Sequence, residues 1–81
     1  MVATPRQQEN ELLRQRSARA LVQLRKIPYT VLEMGTEHVC GCFVRVKVMY
    51  GWRCVYCMPP LGMMEEARSI VEECGAVHGK R

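Results

Sequence analysis

A histidine and four cysteines fall between residues 38 and 57, as His38-Val39-Cys40-Gly41-Cys42 and Cys54-Val55-Tyr56-Cys57. Thiolates and imidazoles at such spacing are what a tetrahedral zinc site needs. The same cysteines also serve a sheet, because a reduced cysteine packs like a small hydrophobe. The two readings demand different backbones. In a regular strand, positions i and i+2 lie ~6.5–7 Å apart. Sulfurs around one zinc sit ~3.8 Å apart, given a Zn–S bond of about 2.3 Å. Cys40 and Cys42 both reach a metal only where the chain breaks into a turn between them, which Gly41 permits.

The chain has 81 residues, enough for one small domain over 1–81. A core of that size stabilises a fold by a few kcal/mol unless a metal, a disulfide or a partner adds to it. The hydrophobic fraction of 48% is too high for a disordered chain. No run of ~18 apolar residues exists, so no membrane partner is expected. Met1 to Glu9 lacks the apolar centre of a signal peptide, which points to a reducing, cytoplasmic setting. Five cysteines is an odd count and argues against a secreted disulfide framework. The net charge of +4 fits a nucleic acid, an anionic protein face or plain solubility.

Thr4-Pro5-Arg6-Gln7 reads as a helix start, with Thr4 as N-cap, Pro5 at N1 and Gln7 closing a capping box. The helix spans 4–27 and stops before Pro28. Leu13, Ser17, Ala20, Leu21 and Leu24 share one face, with Ile27 at its edge. A β-meander is expected over 29–58. Its first run is Tyr29 to Met34, ended by Gly35-Thr36-Glu37. Its second, Val39 to Tyr50, alternates: Val44, Val46 and Val48 face one way, Arg45 and Lys47 the other. Its third runs from Trp52 to Met58. A turn at Tyr50-Gly51 would set Cys54 opposite Lys47 and Cys57 opposite Val44. Cys54 would then lie on the order of 16 Å from the level of Cys42. A four-cysteine site needs that turn to move toward Val48, or the strand end to bend. Pro59-Pro60 leads to a second helix over 61–75, with Gly75 as C-cap. Its apolar face is Met63, Met64, Ala67, Ile70, Val71 and Cys74. Residues 76–81 read as a flexible tail. The fold class is α+β: an N-terminal helix, a three-stranded antiparallel meander, and a C-terminal helix packed on the sheet.

Cys40-Gly41-Cys42, the β-run after it, and Arg53-Cys54-Val55-Tyr56-Cys57 resemble a short zinc ribbon with a C-x-C and a C-x-x-C knuckle. The resemblance implies a structural Zn2+ held by Cys40, Cys42, Cys54 and Cys57, in a module that binds nucleic acid or protein. His38 shares the parity of Cys40 and Cys42 and is a substitute ligand. A partial site of His38, Cys40 or Cys42, and Cys57 suits the hairpin better than the full cysteine set. The competing expectation is a set of reduced core cysteines with no metal. Trp52 near Cys54-Val55-Tyr56-Cys57 also resembles thiol oxidoreductases. Their chemistry needs the first cysteine at a helix N-terminus, whereas this motif falls on an expected strand.

No paired-carboxylate site, glycine-rich phosphate loop or Ser/His/Asp set is present, so the chain reads as non-enzymatic. Arg14, Arg16, Arg19, Arg25, Lys26, Arg45, Lys47 and Arg53 are the candidates for a surface that meets nucleic acid or a partner. The plainer alternative is a solvated helix balanced by Glu9 and Glu11. Tyr29, Phe43, Trp52 and Tyr56 could stack on bases. Met49, Met58, Met63 and Met64 suit adaptable protein contacts or core filling. The leading expectation is a small, zinc-stabilised regulatory protein that contacts nucleic acid or a nucleic-acid-handling protein. The alternative is a metal-free mini-domain, of the phage or mobile-element type, that binds and modulates or inhibits a host protein. A thiol oxidoreductase is the third reading. Open sheet edges also allow a homodimer.

Overall fold

The computed structural model describes residues 5–28 and 30–78. Its elements, in chain order, are α1 (Pro5–Leu24), β1 (Leu32–Met34), β2 (Val44–Val48), β3 (Gly51–Cys54) and α2 (Met64–Glu73). Helix, three antiparallel strands and helix is the expected α+β order. The proposed cap at Thr4 and the start of the first β-run at Tyr29 lie outside the described residues.

Helix α1 buries Leu13, Ser17, Ala20, Leu21 and Leu24, and Ile27 continues that face beyond its end. The helix closes by tightening. Arg25 N–H still donates four residues back to Leu21, but Lys26 and Ile27 donate three back, to Gln23 and Leu24. Such a turn satisfies the last carbonyls before a proline, which could not donate. The Thr30 hydroxyl then donates to the Ile27 carbonyl at 2.9 Å. Ser17 lies fully buried on the apolar face. Its Oγ accepts the Phe43 N–H at 3.0 Å, so it ties α1 to the loop before β2.

The strands lie in the order β1-β2-β3. Leu32 pairs with Val46 and Met34 with Val44, while Val46 also pairs with Arg53 and Arg45 with Cys54. Leu32, Val44 and Val46 join Leu24, Val55 and Val71 in one core. Val44 and Val71 expose no surface and Val46 only 1%. Ala67 and Val71 bring α2 into that core. The C-terminal helix, expected directly on the sheet, lies instead against α1, and it is α1 that lies on β1 and β2.

The strands are shorter than the alternating pattern suggests. β2 begins at Val44, not Val39, because Gly41 takes a φ of +98° and folds the preceding residues into a turn. β3 ends at Cys54, where Val55 to Cys57 turn away. α2 starts at Met64, and Leu61 before it is 92% exposed. Its end is as expected: Gly75 sits at φ +69°, Ala76 N–H donates to Val71 and Gly75 N–H to Glu72. That double bond is the Schellman cap.

The expectation of a flexible tail from Ala76 fails for residues 76–78. Ala76 and Val77 are buried, and His78 N–H donates to the Cys40 carbonyl at 2.6 Å. Two apolar residues directly after the cap let the chain fold back over the cysteine loop. Gly41 is pressed against this return. A Cβ there would meet the His78 nitrogen at 2.8 Å, on a backbone already at positive φ. Gly41→Ala should therefore lower stability by about 2–3 kcal/mol, combining backbone strain with loss of the clamp. Gly62→Ala, at φ +85° with nothing within 4 Å, should cost about 1 kcal/mol from the backbone alone. Urea melts of the two variants compare them directly; equal losses would contradict the clamp.

Candidate metal centre

Two local features of the chain bring the donors together. The first is the hairpin register. Val48 pairs with Gly51, so the two-residue turn is Met49-Tyr50, one position earlier than Tyr50-Gly51. Cys54 therefore lies opposite Arg45 instead of Lys47. The shift carries Cys54 two positions toward the cysteine loop, roughly 7 Å along the strand. The second feature is the end of β3. Met58 N–H donates to the Cys54 carbonyl at 2.9 Å, wrapping Cys54 to Cys57 into one turn.

The opposite loop is equally tight. Gly41 N–H donates to the His38 carbonyl at 2.8 Å, and His38 N–H to the Cys42 carbonyl at 3.1 Å. The turn projects His38 and Cys40 to one side. One ligand atom from each of His38, Cys40, Cys54 and Cys57 then lies within 4.8 Å of the other three. Cys40 and Cys54 sulfurs are 3.5 Å apart, and Cys57 Sγ is 3.5 Å from His38 Nδ1. A tetrahedral zinc site has donor separations of ~3.8 Å, so the four atoms need only small movements to close on one ion.

Cys42 is not one of these four donors, although its sulfur lies near enough to act on Cys54. It exposes no surface, and its sulfur accepts the Val44 N–H at 3.4 Å. The cause is the Gly41 turn: Cys42 takes up the inward parity of Val44 and Val46, while Cys40 is freed from it. The spacing C-x-C thus divides into one cluster member and one core residue, and His38 fills the fourth place.

The sulfurs are electrostatically coupled. The Cys54 thiol is held far below its ordinary pKa because Cys40 and Cys42 thiols donate to it, helped by the Cys57 and Tyr56 amides. Cys40 and Cys42 are both pushed up, first by their bond to Cys54 and next by burial. The three sulfurs are thus coupled: the contacts that lower Cys54 raise Cys40 and Cys42. A bound dication takes over the role of those protons and lets further sulfurs ionise.

Both loops are braced from outside. Arg45 reaches the carbonyls of Thr36, Cys42 and Val44, the last two at 3.3 and 3.4 Å. His78 bridges Glu37 at 2.9 Å and Glu9 at 3.4 Å through its two ring nitrogens. On the other side, Tyr56 donates to Glu72 at 2.5 Å, and Arg68 to the Tyr56 carbonyl at 3.0 Å. The Glu72 carboxylate raises the Tyr56 pKa, so the phenol keeps its proton. Of these supports, Ser17, Glu37 and His78 carry no local sequence signal, because each acts across a long stretch of chain.

The cations divide in two. Arg16 donates to the Gly75 carbonyl at 3.3 Å, and Arg53 to Trp52 at 2.9 Å. With Arg45 they serve the fold. Arg14, Arg19, Arg25, Lys26 and Lys47 are exposed, and among the described residues none of them forms an ion pair with a carboxylate. Beside the cysteines, Val48, Met49, Arg53, Cys57, Met58 and Met64 line an open groove of about 570 Å³. Met49 and Tyr50 at its rim are 88% and 81% exposed. Among the described residues, no helix is long and apolar enough to cross a membrane. No protein-family model, curated protein or solved structure matches this chain.

Proposed function

We propose that this protein is a zinc-stapled, non-enzymatic binding module in which His38, Cys40, Cys54 and Cys57 hold one structural Zn2+. The convergence of those four donors within 4.8 Å supports the reading most directly. Three sulfurs and one imidazole form a closed Cys3His set, the kind that stabilises small domains and leaves no open position for catalysis. Zinc suits this donor set better than the hard cations, which prefer oxygen ligands. Cys42 then serves the core in place of the metal.

The working surface is the outer side of α1, with Lys47 on the exposed face of β2 as a separate cation. Arg14, Arg19, Arg25, Lys26 and Lys47 present exposed cations with no carboxylate partner among the described residues, and Lys26 donates to Gln23 Oε1 at 3.3 Å. Nucleic acid is the partner class such cations serve, through phosphate contacts. The experiment is fluorescence anisotropy of the zinc-loaded protein on single- and double-stranded oligonucleotides across a salt series. Affinity should fall steeply with salt. Replacing Arg14, Arg19 and Arg25 together by Gln should weaken binding by about tenfold or more and flatten the slope by roughly three charges. No binding at low salt would contradict the nucleic-acid surface. The apolar groove beside Cys57 favours the second reading, a module that docks on a protein and modulates it.

A further inference from the structure

The Cys40–Cys54 contact carries chemistry beyond metal binding. At 3.5 Å these two sulfurs are as close as the ligand atoms of Cys57 and His38. A disulfide needs about 2.05 Å, so side-chain rotation over a short distance suffices. The two residues lie fourteen positions apart and join the loop before β2 to the end of β3. Those are the two segments the metal would hold. Cys40 is only partly buried, so a small oxidant reaches it, whereas Cys54 is 4% exposed and waits behind it.

We propose that Cys40 and Cys54 form a disulfide site for a peroxide, which exchanges the metal staple for a covalent one across the same two loops. This rests on the zinc reading for its first state only; the thiol pair itself does not need the metal. In the first step the Cys40 thiol gives its proton to the Cys54 sulfur, 3.5 Å away, and attacks one peroxide oxygen. An S–O bond forms, the O–O bond breaks and hydroxide leaves, so Cys40 becomes a sulfenic acid while the hydroxide takes the proton back from Cys54 and becomes water. In the second, the Cys54 thiolate attacks the Cys40 sulfur. The S–S bond forms, the S–O bond breaks, and a second hydroxide leaves. Two sulfurs lose one electron each, and the two peroxide oxygens gain them. A zinc held by these donors would lose two thiolates and keep only His38 and Cys57, too few protein ligands to retain it.

The alternative pairing, Cys54 with Cys57, would close only the local turn and leave the His38–Cys42 loop untied. The two outcomes differ in stability. A link over this span restricts the unfolded chain enough to raise melting by roughly 10–20 °C over the reduced, metal-free form. A Cys54–Cys57 link, within one short turn, raises it far less.

The test treats the wild-type protein with hydrogen peroxide at neutral pH, then maps cysteine linkages by peptide mass spectrometry. Released zinc is followed with a colorimetric chelator, and the oxidised form is melted beside the reduced apoprotein. The expected result is one Cys40–Cys54 linkage, one zinc released per linkage, and the higher melting temperature. A dominant Cys54–Cys57 or Cys42–Cys54 linkage, or oxidation to sulfinic acid with no linkage, overturns the proposal. Should the protein purify without zinc, the metal reading fails, yet the linkage map still decides the thiol pair. Cys57→Ser gives a second check: it should still form the Cys40–Cys54 link, and failure to form it counts against the proposal.

Discussion

Stripping zinc with a strong chelator under reducing conditions is expected to leave a marginally stable domain whose melting midpoint falls by more than ~20 °C. The reason is the size of the two contributions. A core of this size supplies about 3–5 kcal/mol at most, whereas a structural zinc in a small domain contributes about 10–16 kcal/mol of apparent binding energy at neutral pH. The donors come from the irregular loop 38–40 and from the end of β3 with the turn after it, residues 54–57. Without the ion, coupled sulfurs sit unneutralised in a partly buried site, and the loops rely on Arg45, Ser17 and His78. Cys54→Ser should reproduce the chelated state, since Cys54 contacts Cys40 and pairs with Arg45. Far-UV circular dichroism through a thermal scan reads both. A sharp transition that survives chelation with its midpoint within ~5 °C would show that the metal contributes little.

Leu24→Ala is the second large effect. Leu24 is 1% exposed and sits where α1 meets the sheet and α2. Removing most of its side chain from a packed interior costs about 2–5 kcal/mol. For a domain of this length that is a fall of roughly 10–30 °C in melting temperature. With zinc bound the variant should still fold. After chelation it should show no transition at all, because the loss equals the whole stability of the apoprotein. Val22→Ala, on the same helix but 58% exposed, should shift melting by less than ~5 °C. Equal losses at the two positions would mean that α1 does not pack as described.

The helices were legible because their signals are local. Leu13, Ser17, Ala20, Leu21 and Leu24 repeat at helical spacing and are all buried. Gly75 ends α2 through a cap that needs positive φ. The β2 valines were legible by alternation. What the chain's pattern concealed was register. A one-residue change in the turn, from Tyr50-Gly51 to Met49-Tyr50, decides whether Cys54 meets the cysteine loop. Gly51 reads as part of the turn, yet the chain turns one residue earlier and Gly51 instead opens β3 at φ +118°. The ligand set was half legible for a related reason. C-x-C spacing marks Cys40 and Cys42 alike, yet the turn at Gly41 sends one outward and the other into the core. His38 then completes the cluster. The return of Ala76 to His78 over Cys40 has no local signature, since a frayed tail and a docked one read alike in sequence.

Metal content tests the account most directly. Native mass spectrometry of protein purified without added metal, checked by elemental analysis, reports zinc per chain and oligomeric state together. The account predicts one zinc per chain, and no retained zinc in Cys54→Ser or in a His38→Ala, Cys57→Ser double variant. It also predicts that Cys42→Ala keeps the zinc, because Cys42 packs in the core. Wild-type protein carrying less than ~0.2 zinc per chain would contradict the account, since a closed Cys3His site binds too tightly to be lost in purification.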